Sequence, residues 1–360
     1  SINKNGKELA KIYFNKNFQN ICDIVENILA RERLKKGVKN AQGQYFTDGP
    51  NDIFDILNDA FNSIKQFRHP IIYRKLLKIY YITIIQYVIG VNCVVTNQDL
   101  IIEHEYLISV ANSVFNLIQI LNNLIDNMVK MNVLSEKEIN EAVGMKRITK
   151  SINKLTFNAI YRFVFERKDE LSEEFDNVDF MDLQIMKIIM KTSQLFNISK
   201  TMMTVPIVKR VWNEILKITL CFYISSLLLT DERTDLGEIK SKLKNDYKLF
   251  FEAYESIVGE HFTKSTIKII NDIIDFFEVS QPLIVSSCLT LREFIGPAFS
   301  SLAAKKLIYL RNDLSHREKE ESKKQCEEAL RDFKGQKDGE CSGYFNILND
   351  THLFSSKIFL

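Results

Sequence analysis

Apolar side chains recur along several stretches of the chain at alternating steps of three and four residues. Two of these stripes cover residues 208–222 and 267–277. Such spacing places the apolar side chains on one face of an α-helix and leaves the opposite face polar. The pattern therefore predicts amphipathic helices that pack against other helices. The longest stripe consists of Leu107, Val110, Val114, Leu117, Leu121, Leu124 and Met128.

The apolar periodicity and the positions of glycine and proline together predict about ten helices. The expected bounds are 6–36, 51–66, 68–95, 99–131, 136–167, 178–196, 205–230, 236–258, 264–279 and 283–333, the last broken near Gly296 and Ser315.

Local start signals accompany several of these helices. Ser135 and Glu138 have the S-x-x-E spacing of a capping box. Pro50 suits a first helical turn, because its ring fixes φ and it has no amide hydrogen to leave unpaired. Thr263 or Ser265 is the expected N-cap of the helix that begins near residue 264.

Two polar segments divide the predicted helices into groups. Residues 37–49 form a glycine-containing linker, and residues 168–177 form an acidic connection. We place the domain boundary in the acidic connection, since boundaries fall in polar segments that few contacts cross. The expected organisation is a first helical bundle over 1–172, a second, carboxy-terminal bundle over 173–333, and a poorly ordered or additional tail over 334–360.

The composition agrees with an all-α protein. The 360 residues include only 12 glycines and 5 prolines, which the turns of a sheet require. Apolar residues make up 46% and charged residues 26% of the chain, as in soluble globular proteins, so wholesale disorder is excluded. The 48 basic and 46 acidic residues nearly balance, which argues against a general nucleic-acid-binding protein.

The uncharged stretch 79–98 is the candidate for a membrane span. A spanning helix needs about 20 mostly apolar residues. Here Gly90 and Asn92 interrupt the run, and its apolar part ends near Val95. We therefore interpret the stretch as a buried helix of a bundle.

The sequence contains no motif of a catalytic, cofactor or metal site. Gly37 and Gly43 have the spacing of a phosphate-binding loop, but no Lys-Ser/Thr pair follows. His104 and Glu105 begin a zinc-protease pattern, but Ile108 occupies the position of its second histidine. The six cysteines lie far apart and are interpreted as reduced thiols. The chain is thus interpreted as a non-enzyme, and a site assembled from residues distant in sequence is the alternative.

Two clusters of basic residues occur, one over 200–217 and one over 305–324. Lys305, Lys306, Arg311 and Arg317 are the candidate residues of a surface for an acidic partner or for anionic lipid. Acidic residues such as Glu318 alternate with them. Ion pairs along an exposed helix are therefore the competing interpretation.

Five segments resemble, in order and spacing, blocks of the Sec-six subunit family of the exocyst. TDGPNDIFDIL over 47–57 is similar to the family's T-x-x-P-V-D-L-F-x-x-L, with asparagine in place of the usual valine. LISVAN over 107–112 corresponds to an asparagine-bearing helix, and 205–229 resembles a helix that ends in V-x-Y-x-x-x-L-L. Segments 242–259 and 307–313 are similar to a D-x-x-x-L-x-x-F-F helix and to a closing L-L-x-L-R-x-D block.

The resemblance implies an elongated rod of stacked antiparallel helical bundles, equivalent to the carboxy-terminal part of that subunit and without catalytic residues. The implied function is to tether secretory vesicles to the plasma membrane before SNARE-driven fusion. The implied partners are other exocyst subunits, plasma-membrane SNARE proteins and anionic lipid at the membrane surface, with no nucleic acid and no cofactor. The implied location is cytoplasmic, peripheral at plasma-membrane exocytic sites. The alternatives are a stand-alone lipid-binding protein and a Sec-six-like adaptor outside the exocyst.

Overall fold

The computed structural model describes residues 19–32, 37–67, 69–176, 178–296 and 299–333. Within these ranges the regular structure is helical apart from one hairpin of two-residue antiparallel strands, Val38–Lys39 (β1) and Tyr45–Phe46 (β2). The prediction of an all-α protein is confirmed. The predicted tail over 334–360 lies outside the described residues.

Most helices in this part of the chain lie close to their predicted bounds. They are α1 (19–32), α2 (Gly49–Ile64), α3 (Pro70–Thr96), α4 (His104–Lys130), α5 (Glu136–Val143), α6 (Met145–Phe165), α7 (Lys168–Ser172), α8 (Ile185–Lys200), α9 (Val205–Leu228), α10 (Leu236–Val258), α11 (Glu260–Glu278), α12 (Ile284–Ile295), α13 (Ser301–Leu310) and α14 (His316–Asp332).

The single helix predicted over 136–167 is two helices in the structure. Gly144 ends α5 in the left-handed conformation, with a φ of 65°, and α6 begins at the next residue. Only glycine adopts this conformation without a steric cost, so the break belongs to that residue. The apolar periodicity continues across the break, which explains why the pattern predicts one helix.

The predicted N-cap of α11 is wrong, because the helix begins several residues earlier. Its first residue is Glu260, and Gly259 is its N-cap. Thr263 lies inside the first turn, where its hydroxyl donates a hydrogen bond to the Gly259 carbonyl (3.0 Å). Ser265 lies further along the same helix.

The other start signals are confirmed. Ser135 caps α5, with its hydroxyl accepting from the Glu138 amide, and the Glu138 carboxylate accepts from the Ser135 amide (3.0 Å). These bonds and the Arg74 guanidinium lower the pKa of Glu138 to about 2. Pro50 is the second residue of α2.

The chain forms two compact units. Unit 1 contains the described residues up to Phe165 together with Ile198–Ile207, and unit 2 contains Glu166–Asn197 and the described residues from Val208 onwards. Helices α8 and α9 therefore each contribute residues to both units. The bundle boundary between residues 172 and 173 stays a prediction, since compactness alone does not show which segments fold independently.

The core of unit 1 lies among α2, α3, α4 and α6. Tyr80 and Tyr87 of α3 are fully buried, and the Tyr80 hydroxyl donates to the Leu57 carbonyl of α2 (2.6 Å). Buried tyrosines need such partners, because an unpaired hydroxyl in an apolar core is costly. The bond sets the position of α2 along the axis of α3.

Asn112 of α4 joins the hairpin of unit 1 to the 201–204 segment. This side chain is fully buried, and its Nδ2 donates to the carbonyls of Tyr45 (2.8 Å) and Met202 (2.9 Å). Its Oδ1 accepts from the Thr204 amide (2.9 Å) and hydroxyl (3.2 Å). All four hydrogen-bonding positions of the amide are thereby used.

The core of unit 2 is rich in aromatic rings. Trp212 of α9 lies between Phe196 and Tyr254, in edge-to-face contacts with ring centroids 6.5 and 5.9 Å apart. Phe250 and Phe276 of the α10–α11 pair are fully buried. Edge-to-face aromatic packing stabilises such a core beyond the area it buries.

Three helices among the described residues, α3, α4 and α9, are long and apolar enough to cross a membrane by length and composition. Their most apolar windows are 50%, 61% and 89% buried inside the protein, respectively. Packing within the units thus covers nearly all of this surface on α9 and half of it on α3. No membrane span was predicted over 79–98, which lies largely within α3.

Candidate functional site

The predicted basic surface lies on α13 and α14. Lys305 is half-buried, with its Nζ 5.5 Å above the ring of Tyr309, and Lys306 is its half-buried neighbour. Arg317, in the first turn of α14, is exposed. The structure therefore leaves three of the four predicted cations with at least partial access to solvent.

Arg311 departs from the prediction, because it is buried with only 3% of its surface exposed. Its guanidinium donates to the carbonyls of Phe276 (2.8 Å) and Val279 (2.9 Å) at the end of α11. It also forms a two-pronged ion pair with Asp313, and this pair lowers the pKa of the Asp313 carboxyl. Arg311 thus joins the end of α13 to the end of α11 and is not part of an accessible surface.

A sequence signal for this burial exists in the α13 pattern. Ala304, Leu307 and Ile308 are buried, and Arg311 continues their three- and four-residue spacing. A charged residue in the phase of an apolar stripe is expected to be buried with partners.

The remaining surface on these helices carries both signs of charge. Tyr309 donates to Glu320 (2.8 Å), which raises the pKa of the tyrosine to about 12. Glu320 is also 3.5 Å from Lys323, and Lys319 donates to the Tyr309 carbonyl (2.9 Å). The ion-paired helix of the competing interpretation is therefore present around Glu320. Lys305, Lys306 and Arg317 stay a prediction as a partner or lipid surface.

In the described part of each unit, a buried carboxylate is bonded to a buried tyrosine. In unit 1 the Tyr87 hydroxyl lies 2.8 Å from Glu32 Oε1, which also accepts from the Gly49 amide (2.9 Å). In unit 2 the Tyr223 hydroxyl donates to Asp246 Oδ2 (2.7 Å). Burial raises the pKa of both carboxyls. It also raises the pKa of both tyrosines far above the physiological range.

Both pairs join helices, and the Glu32 pair has little room for a substrate. The cavity beside Glu32 has a volume of about 30 Å³, lined by Arg31, Asp48 and Asp52 among others. That volume accommodates about one water molecule. An acid–base role would need space for a reacting group within hydrogen-bonding distance.

Two cysteines of unit 2 are closer together than their sequence separation suggests. Cys288 of α12 and Cys326 of α14 are both buried, and Cys326 Sγ lies 3.3 Å from Cys288 Sγ as a thiol contact. Their spacing of 38 residues gives no local sequence signal. Among the described residues, no group of three or more histidine, cysteine, aspartate or glutamate side chains is arranged to hold a metal ion.

Comparison with known proteins shows similarity in structure but not in sequence. No family model matches the chain, and no curated protein matches it. Among solved structures, the chain is similar to the "C-terminal domain of the exocyst subunit Sec6p", with a TM-score of 0.68. The alignment covers 96% of this chain and 98% of that chain, with 14% of aligned residues identical. The two chains therefore share a fold along nearly their whole length, and the resemblance noted in the sequence is confirmed at that level.

Proposed function

We propose that this chain is a non-enzymatic subunit of an exocyst-type vesicle-tethering complex. The observation that carries the proposal is the fold shared with the Sec6p domain over 96% of the chain. The five sequence blocks that resemble the same family, between residues 47 and 313, support it independently. A helical protein suits this role, because tethering requires reach and several docking faces but no nucleophile.

The proposed mechanism is contact with protein partners. The chain would bind other exocyst subunits, and together they would link secretory vesicles to the plasma membrane ahead of SNARE-mediated fusion. Direct contact with plasma-membrane SNARE proteins, a rod-like stacking of bundles, and a cytoplasmic location peripheral to exocytic sites belong to the same proposal. Its physical basis is the large helical exterior, which offers long faces to partners.

Affinity purification tests this function. The protein carries an epitope tag at its own chromosomal locus and is purified from its own cells, and the co-purifying proteins are identified by mass spectrometry. We expect several other large helical exocyst subunits in amounts comparable to the bait. Folded bait that co-purifies with none of them would overturn the proposal, and an untagged strain is the control.

The alternative function is a stand-alone peripheral lipid binder that uses Lys305, Lys306 and Arg317. Flotation with anionic liposomes at physiological salt tests it by comparing the wild type with the triple charge reversal to glutamate. Arg311 is left unchanged in this variant, since its bonds to Phe276 and Val279 stabilise the fold. Flotation that requires the three cations, without exocyst subunits in the purification, would favour the alternative.

A further inference from the structure

Unit 1 contains an open groove between α3, α5 and the start of α6. Its volume is about 880 Å³. The apolar part of its lining includes the half-buried Tyr81 and Met145 and the exposed Ile82. A cleft of this size accommodates several side chains of a bound segment.

The corner between α5 and α6 gives the groove its shape. Gly144 has a φ of 65° and brings the corner against the ring of Tyr81. A Cβ at this position would lie 3.1 Å from Tyr81 Cδ2, a tight contact that requires the ring to shift by a few tenths of an ångström. Glycine therefore suits both the left-handed backbone conformation and the close approach.

The polar part of the lining is predominantly positive. Lys78 of α3 and Lys146 and Arg147 of α6 line the groove and are exposed, and no ion pair joins any of them to another described residue. Lys137 of α5 is 4.0 Å from Glu141, the single acidic residue of the lining. The whole chain has a net charge of only +2, so this positive potential is local.

We propose that this groove binds an acidic amphipathic helix of a partner protein. Its acidic face would meet Lys78, Lys146 and Arg147, and its apolar side chains would pack against Tyr81 and Ile82. Unpaired exposed cations give charge complementarity to an acidic helix at little desolvation cost. The apolar lining then supplies area that a purely ionic contact lacks.

The groove suits a peptide better than an inorganic or lipid phosphate. A phosphate is strongly hydrated and gains nothing from the apolar lining formed by Tyr81, Ile82 and Met145. Glu141, which also lines the groove, would repel it. An amphipathic helix uses both kinds of surface, with apolar side chains every three or four residues and carboxylates between them.

A peptide selection tests this proposal. The whole chain is presented to a phage library of random 16-residue peptides, and the enriched peptides are titrated by fluorescence anisotropy. We expect acidic, amphipathic sequences whose binding weakens with salt. Their affinity should fall at least about tenfold in the variant Lys78→Glu/Lys146→Glu/Arg147→Glu.

The matched control reverses Lys209, Lys248 and Lys324, three exposed lysines of unit 2, and so changes the net charge by the same amount. It should bind the peptides as the wild type does. Circular dichroism confirms that both variants are folded. Enrichment without acidic bias, or equal binding by the groove variant and the wild type, would overturn the proposal.

Two further arms separate an amphipathic ligand from a purely anionic one. Ile82→Ser leaves every charge in place and should weaken peptide binding several-fold by removing apolar contact. Unchanged affinity would overturn the amphipathic mode.

The second arm measures binding to phosphatidylcholine vesicles with and without phosphatidylinositol bisphosphate. Vesicle binding that depends on the groove cations, without acidic peptide enrichment, would overturn the peptide proposal and assign the groove to lipid. Neither arm depends on co-purification of exocyst subunits, so this inference and the proposed function can fail separately.

Discussion

The two units stabilise their irregular segments with different buried side chains. In unit 1 the neutral amide of Asn112 bonds backbone groups 67 to 92 residues away. In unit 2 the guanidinium of Arg311 bonds carbonyls 32 to 35 residues away and a carboxylate only two residues away. The difference follows from the groups that meet the side chain. Carbonyls and amides both converge on Asn112, whereas Arg311 meets only acceptors.

The carbonyls that face Arg311 belong to the carboxy-terminal end of α11 and the residue after it. The last carbonyls of a helix have no partner within it and carry a partial negative charge. A buried cation therefore satisfies them and is itself stabilised. At both sites the buried side chain matches the groups around it: an amide where donors and acceptors meet, and a cation where only acceptors meet.

Replacing Arg311 by methionine, which keeps much of its length and removes the charge, should have the largest effect on stability. Two carbonyls lose their donor, so we expect the free energy of unfolding to fall by about 3 kcal/mol or more. Urea denaturation followed by circular dichroism measures it. Arg317→Met is the matched control, since Arg317 is exposed, and should change stability by no more than about 0.5 kcal/mol. Equal effects of the two substitutions would contradict the anchoring role.

A second substitution, Asn112→Ala, addresses the unit 1 side of the comparison. It removes four hydrogen bonds, but the Met202 carbonyl keeps the bond it accepts from the Tyr45 amide (3.1 Å). We therefore expect a smaller loss than at Arg311, about 2 kcal/mol. Hydrogen exchange should accelerate first at the Thr204 amide, which loses its acceptor, and next in the hairpin, where the Tyr45 carbonyl loses a donor. Asn123→Ala, at an exposed position of the same helix, is the control. Unchanged exchange in the hairpin would show that other contacts hold it.

The two tyrosine-bonded carboxylates, Glu32 and Asp246, have neighbours of different charge. Asp246 has the ammonium group of Lys242 3.1 Å from its Oδ2. Glu32 has hydrogen-bond donors, and the nearby Asp52 carboxylate adds to the rise in its pKa caused by burial. The charged form of Asp246 therefore has a neighbouring counter-ion, whereas repulsion opposes the charged form of Glu32.

Amide substitution at these two carboxyls should change stability less than either substitution above. Glu32 has a raised pKa in the folded state, so its favourable contribution is complete at low pH and is lost as the pH rises through that pKa. Glu32→Gln should thus stabilise the protein by about 1 kcal/mol at pH 8 and by less near pH 4.5. Burial also raises the pKa of Asp246, so Asp246→Asn should change stability in the same direction with pH, by a smaller amount because the Lys242 ammonium favours the charged carboxylate. Thermal melts from pH 4.5 to 8 measure both variants. A stability difference between Glu32→Gln and the wild type that does not change with pH would contradict this account.

Much of the helical structure follows from local signals in the sequence. The capping box at Ser135 and Glu138, the proline at the start of α2 and the stripe along α4 are each set by residues within a few positions of one another. The predicted break near Gly296 is also found, since α12 ends at the residue before it. By contrast, Gly144 was not predicted to end a helix, because the apolar periodicity continues across it.

The candidate surfaces were predictable only in part. Lys305, Lys306 and Arg311 are close in sequence, but burial separates Arg311 from the other two. The groove in unit 1 has no sequence signal, since Lys78 is far along the chain from Lys146. Helix packing brings residues that are distant in sequence close together, and a local sequence pattern carries no information about that packing.

The helical class and most helix bounds follow from the sequence, because apolar periodicity, capping groups and the scarcity of glycine and proline act over one or two turns. Helix packing, by contrast, sets which polar groups are buried and which charges have no partner. Asn112 and Arg311 became structural anchors, and Lys78, Lys146 and Arg147 became one positive surface, through contacts between segments far apart in the chain. The physical reason is that burial and electrostatic environment depend on all packed neighbours, whereas helix formation depends mainly on adjacent turns.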